Sequence, residues 1–227
     1  EAEAVVNEIK NLKFKIKNYD YKDFAILVRA NNHAEPFMRS LNRHAIPYQF
    51  LGPGMLFKQP EVKDLIAYLK LLANFEDSVA MYRILAMDLF ALDARDLAAM
   101  TNFARKNNVS LFEACEQIEK ITVSPKTKEK IDSLVKMVHH HLELVKKETA
   151  GQILYYFLLD SGLLKKITEY KSGVDEKKAQ NISRFFYKLK TYEANHEDAS
   201  VFVVSDWLDL SMELGESPKA QDTDWTE

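Results

Sequence analysis

From Pro60 onward the chain offers apolar residues only at helical spacing, and this periodicity constrains the fold more than any single motif does. In "PEVKDLIAYLKLLANF" the residues Val62, Leu65, Ile66, Leu69 and Leu72 fall on one helix face behind a proline and a glutamate suited to a helix start. The stretches "SVAMYRILAMDLF", "ARDLAAMTNFARK", "LFEACEQI", "KEKIDSLVKMVHHHLELVKK", "AGQILYYFLLDSGLLKKI", "KAQNISRFFYKLKTYEAN" and "ASVFVVSDWLDLSMEL" repeat that spacing between short polar breaks. Six glycines and six prolines in 227 residues are too few turn formers for an all-β chain, so helix is predicted to dominate.

The first sixty residues read differently. "EAEAVVNEIKNL" has the period of a short helix through Val5, Ile9 and Leu12. "DFAILVRA" is a nearly continuous apolar run, the pattern of a strand covered on both faces in a parallel sheet. "HAEPFMRSLNR" returns to helix through Phe37 and Leu41, and "IPYQFLGPG" gives a second strand ending in a glycine-rich turn. Strand, helix and strand make a right-handed crossover unit. The expected fold is therefore mainly α with a small α/β part: a partial parallel sheet, then an all-helical portion from about residue 88. Two parallel strands cannot cover their own faces or edges, so further strands are expected outside the chain. "GESPKAQDTDWTE" is polar and without periodicity, as befits an exposed connection.

Charge and motif content narrow the chemistry. The balance of 31 basic against 34 acidic residues gives a net −3, which supplies no general attraction for a polyanion, so any DNA contact is expected to be local. Lysines concentrate between Lys120 and Lys147, where a solvated helix face accounts for them. No apolar run approaches the roughly 20 residues of a membrane span, and the opening lacks a signal-peptide pattern, so a cytoplasmic protein is expected. The lone Cys115 excludes a disulfide framework and reads as a buried structural thiol. "GPG" at 52–54 lacks the lysine and hydroxyl of a phosphate loop. His139, His140 and His141 point about 100° apart on a helix, so they cannot converge on one ion; a solvated face and no metal site are predicted. His33 and His44 have no companion ligand at useful spacing. Glu61, Lys63 and Asp64 read as helix-start capping and solvation, and Phe57, Tyr68 and Trp207 as core.

Residues 23–85, "DFAILVRANNHAEPFMRSLNRHAIPYQFLGPGMLFKQPEVKDLIAYLKLLANFEDSVAMYRIL", resemble the start of the second motor subdomain of UvrD/PcrA/Rep-type superfamily 1 DNA helicases. "LLDSGLLKKITEYKSGVDEKKAQNISRFF" and "VFVVSDWLDLSMELGE" are similar to later segments of that family. The resemblance implies that residues 1–87 are the first half of a RecA-like motor subdomain, 88–214 a helical subdomain inserted into it, and 215–227 a connection to the rest of the motor. It implies that Arg29 senses the γ-phosphate of ATP held by the other motor subdomain, where a planar, permanently charged guanidinium is worth roughly 10³- to 10⁵-fold in rate among nucleotide hydrolases.

Two departures stand out. Val28 replaces the tyrosine that stacks on adenine in many members, and "MDLFALDARDLAAM", with Asp88, Asp93 and Asp96, replaces the Gly-Ile-Gly turn that approaches duplex phosphates. The second brings the chain closer to divergent branches such as the AddA/RecB-like helicase–nucleases. The function implied is part of an ATP-dependent 3′-to-5′ DNA helicase. ATP and Mg²⁺ serve the full-length enzyme, neither is bound by this chain alone, and it is expected to hydrolyse nothing by itself. Single-stranded DNA and a duplex junction are the implied partners, contacted through Lys126, Lys128, Lys130, Lys165 and Lys166, with a protein partner for the helical arm and no membrane. The reading from a different class is a non-catalytic helical adaptor that binds protein or DNA.

Overall fold

The computed structural model describes residues 1–16, 19–29, 31–48, 56–169 and 172–213. The chain divides into two compact units, Glu1–Met55 with Glu213–Glu227, and Leu56–Met212.

In the first unit, α1 (Ala2–Lys15) and α2 (Asn31–Arg43) enclose a small core of Val6, Leu41 and Ile46, with Tyr21 and Ile26 packed against it. Polar contacts border that core: Glu3 takes the Arg43 guanidinium at 2.5 Å and the His44 ring at 2.9 Å, and Lys13 meets Asp20 at 2.8 Å. Asp20 also caps a 3-10 turn, Tyr21–Asp23, through a reciprocal capping box.

The expected partial parallel sheet is not present. Among the described residues there is no strand, and the structure is mainly helical. Residues 24–28 follow an extended backbone at Phe24 (φ −106°, ψ 140°) but form no ladder with any described residue, and Leu27 is 95% exposed. The physical reason is that an apolar run becomes a strand only when a neighbour completes its hydrogen-bond ladder. Of the second expected strand, Ile46–Tyr48 are irregular, and residues 49–54 lie outside the described residues.

The second unit is all helical and has one contiguous core running from Leu56 to Leu208. Its helices are α3 (Pro60–Ala73), α4 (Ser78–Leu85), α5 (Ala94–Asn107), α6 (Leu111–Glu116), α7 (Pro125–Leu144), α8 (Ala150–Asp160), α9 (Leu163–Thr168), α10 (Gly173–Asn195) and α11 (Val201–Glu213). Starts are signalled chemically: Pro60 and Pro125 open α3 and α7, and Asp77, Asp93, Ser110, Ser124, Thr149 and Ser172 cap α4 to α8 and α10 through their side chains. Eight of the fourteen residues of α3 are buried, from Val62 to Leu72, so α3 is covered on nearly every side and forms the axis of the unit. Cys115 is fully buried, as its apolar neighbours predict, and burial pushes its thiol up to about 12.

Candidate functional site

Arg29 follows the extended 24–28 segment and is exposed, with no hydrogen bond or ion pair among the described residues. Val28, before it, is half-buried in irregular backbone rather than in a strand.

The five lysines singled out by sequence lie on two helices, α7 and α9. Lys126 is exposed in the first turn of α7, and Lys165 and Lys166 are exposed on α9. Lys128 is engaged by Glu119 at 2.8 Å. Lys130 donates to the carbonyls of Phe90 and Ala91, in the turn between α4 and α5. Two of the five ammonium groups thus serve the fold.

That turn stands where the resemblance calls for Gly-Ile-Gly. Ala91 adopts φ +43°, a left-handed conformation a glycine would take without strain. Asp93 accepts the Arg95 amide at 2.8 Å, so a carboxylate already occupies the start of α5. Asp96, one of the three acids of this segment, is turned inward. It accepts from the Thr127 and Ser124 hydroxyls at 2.7 Å each and from the Ser124 amide at 3.2 Å, and these hydrogen bonds, Thr127 first, hold its carboxyl below the ordinary range.

Of the three adjacent histidines, His139 and His140 face solvent, but His141 is fully buried, which corrects the expectation of a solvated face. Its Nδ1 lies 2.5 Å from the Tyr68 hydroxyl and its Nε2 lies 3.0 Å from Asp160 Oδ2. A carboxylate only accepts, so Nε2 carries the proton and Nδ1 receives the Tyr68 O–H when the ring is neutral. Burial drives the His141 pKa down against the opposing pull of Asp160, and burial likewise raises the Tyr68 phenol. The signal was present in the sequence: Ile131, Leu134, Val138 and His141 recur at three- and four-residue steps, and all are buried. Asp160 opens onto a cleft of about 360 Å³ lined by Leu89, Phe90, Lys130, Leu134 and Met137.

At the start of α3, Glu61 and Asp64 are engaged by side chains distant in sequence. Glu61 accepts from Asn181 at 2.6 Å, and Asp64 pairs with Arg83 at 2.8 Å while Arg83 also donates to the Pro60 carbonyl at 2.9 Å. Burial raises the Asp64 carboxyl even so. Lys63, between them, is exposed. No group of three or more His, Cys, Asp or Glu capable of holding a metal occurs among the described residues. No helix of the described residues is long and apolar enough to cross a membrane.

Comparison with known proteins adds sequence kinship to this geometry. The family described as "UvrD-like helicase C-terminal domain" matches residues 1–209. A protein of Staphylococcus epidermidis (strain RP62A) named ATP-dependent DNA helicase PcrA is 26% identical over 212 residues, 93% of this chain and 29% of the relative. The protein of the same name from Staphylococcus aureus (strain Mu50) is 24% identical over the same span. The chain spans 29% of the length of these relatives.

Proposed function

We propose, because this chain belongs to the UvrD-like helicase C-terminal domain family, that its first 87 residues contribute to the second motor subdomain of an ATP-dependent DNA helicase and that residues 88–214 form a helical arm touching DNA. In that enzyme ATP and Mg²⁺ are held by the first motor subdomain, and Arg29 reaches the γ-phosphate as the cleft closes. The planar fork meets phosphoryl oxygens where negative charge is distributed in the transition state and lowers the barrier electrostatically. Closure and reopening drive stepping in the 3′-to-5′ direction. Cytoplasmic operation follows from this substrate.

The observation that carries the reading is the family match over residues 1–209, which spans the exposed Arg29. Val28 cannot stack on adenine, so base recognition falls to the other motor subdomain. The chain alone lacks a phosphate loop among its residues and hydrolyses no ATP.

The test is steady-state phosphate release with single-stranded DNA present, measured on the helicase polypeptide that carries these residues and on this chain alone. Arg29→Ala lowers kcat of the former roughly 10³-fold or more, with helix content unchanged. Full activity in Arg29→Ala, or turnover by the chain alone, refutes the assignment.

A further inference from the structure

The reading of a DNA-touching arm leaves open which face does the touching, and two of the five lysines favoured by sequence serve it poorly. Lys128 and Lys130 are spent on Glu119 and on backbone carbonyls, and the turn at Ala91 to Asp93 presents a carboxylate where an anion would dock.

A different surface has the right chemistry. Helix α10 is 23 residues long and buries Asn181, Ile182, Phe185, Leu189 and Tyr192 on one side. On its opposite side Tyr187 is 74% exposed, an aromatic ring standing in water in the second half of the helix. At about 100° per residue, Arg184 and Lys190 fall within about 60° of Tyr187 around the axis, and Lys177 and Lys188 within about 100°. Lys177 and Lys190 are exposed and Lys188 is half-buried. The acid on this face is Glu176, next to the Gln180 amide, which donates to it at 3.4 Å. Lys177 and Lys190 are thirteen residues apart, or about 20 Å along the axis, room for several consecutive phosphates.

We propose that this face of α10 binds single-stranded DNA, with the backbone phosphates running along Lys177, Lys188 and Lys190 and an unstacked base lying on the Tyr187 ring. The occupant is set by charge and by the ring together. A row of cations attracts any polyanion, but a side-on tyrosine is useful only to a partner whose bases are free to leave a stack. The proposal deepens the reading of the arm given above and rests on it.

Fluorescence-anisotropy titration of the 227-residue chain with a labelled oligothymidine and with a duplex of equal length tests the assignment. The single strand binds more tightly than the duplex. Tyr187→Ala weakens the single strand about tenfold, within the range for one base–aromatic stack, while Tyr187→Phe restores it and neither alters the duplex titration. Lys177→Glu with Lys190→Glu reduces the slope of log K against log salt by about 1.4, two phosphates at roughly 0.7 each. All these side chains lie on the surface, so circular dichroism of the variants matches the parent. Unchanged single-strand binding in Tyr187→Ala and in the double variant overturns the proposal, as does equal competition by polyglutamate, which would mark an acidic protein as the occupant.

The arm and the motor fail separately. Arg29→Ala leaves this titration untouched, so loss of the α10 effect with normal ATP turnover refutes only the α10 face, and the reverse pattern refutes only the motor assignment.

Discussion

Replacing His141 by leucine tests the buried relay most directly, because its cost can be worked out group by group. The imidazole is 0% exposed, and leucine fills a similar volume, so little cavity forms. What is lost is polar. The Tyr68 hydroxyl, itself on a side chain 0% exposed, gives up its hydrogen bond to Nδ1 and is stranded in the core at a cost of about 1–3 kcal/mol. Asp160 is half-exposed and recovers its bond from water, so its loss is close to nil. The sum is about 2 kcal/mol, which for a urea m-value of about 2 kcal/mol/M lowers the unfolding midpoint by about 1 M. Tyr68→Phe strands Nδ1 and falls in the same range alone, but combined with His141→Leu it removes both ends of the bond. The double variant therefore costs less than the sum of the singles, by about 1–2 kcal/mol of coupling. His140→Leu, one residue earlier and exposed, stays within about 0.5 kcal/mol of the parent. Urea unfolding followed by far-ultraviolet circular dichroism reads all four. If His141→Leu matches His140→Leu, or if the two core substitutions simply add, then His141 is not an interior link and the relay is wrong.

The same histidine predicts a pH dependence. Its folded pKa lies below the ordinary 6.5, so the unfolded chain binds the extra proton first, and the His141 contribution is fully present above about pH 6.5 and lost as pH falls toward the folded value. The groups facing it are Tyr68 from α3 and Asp160 from α8, with His140 beside it on α7; subtracting the His141→Leu profile from the parent's isolates this slope from the carboxylates that titrate lower. Ala91→Gly relieves a left-handed alanine at φ +43° and raises stability by about 0.5–1 kcal/mol in the same denaturation assay, whereas Ala86→Gly, just after α4 at φ −81°, lowers it. Cys115, buried with its thiol pushed up to about 12, reacts with iodoacetamide only at the rate of unfolding; alkylation of the native chain as fast as a free thiol contradicts that burial.

What the sequence disclosed and what it concealed follow a physical line. The start of α3 was legible at Pro60, whereas the caps Ser124, Asp93 and Thr149, which bind amides two or three residues ahead, are equally local signals that went unread. The burial of α3 and Cys115 was legible from periodicity. His141 was misread, and the burial of Asp96 went unread, because a polar residue's fate depends on partners distant in sequence, Tyr68 for one and Thr127 for the other, 73 and 31 residues away. The strand at "DFAILVRA" failed for a related reason, since composition records that a segment suits a sheet and cannot supply the ladder that makes one. Arg29 was singled out by family resemblance alone, because nothing in its local spacing distinguishes it from any exposed arginine.

Several polar contacts of the helical unit converge on α3. Glu61, Asp64 and Tyr68 stand three and four residues apart on α3, so they line one side of it, and they lead to α10 through Asn181, to α4 through Arg83, and to α7 and α8 through His141 and Asp160. An almost wholly apolar helix is indifferent to rotation about its own axis, since leucine for leucine exchanges cost little when volume is kept. A hydrogen bond that must be made in the core is not indifferent, because a turn of α3 by one residue would strand at least one charge and one hydroxyl. The stripe therefore fixes the register of α3 against four neighbours.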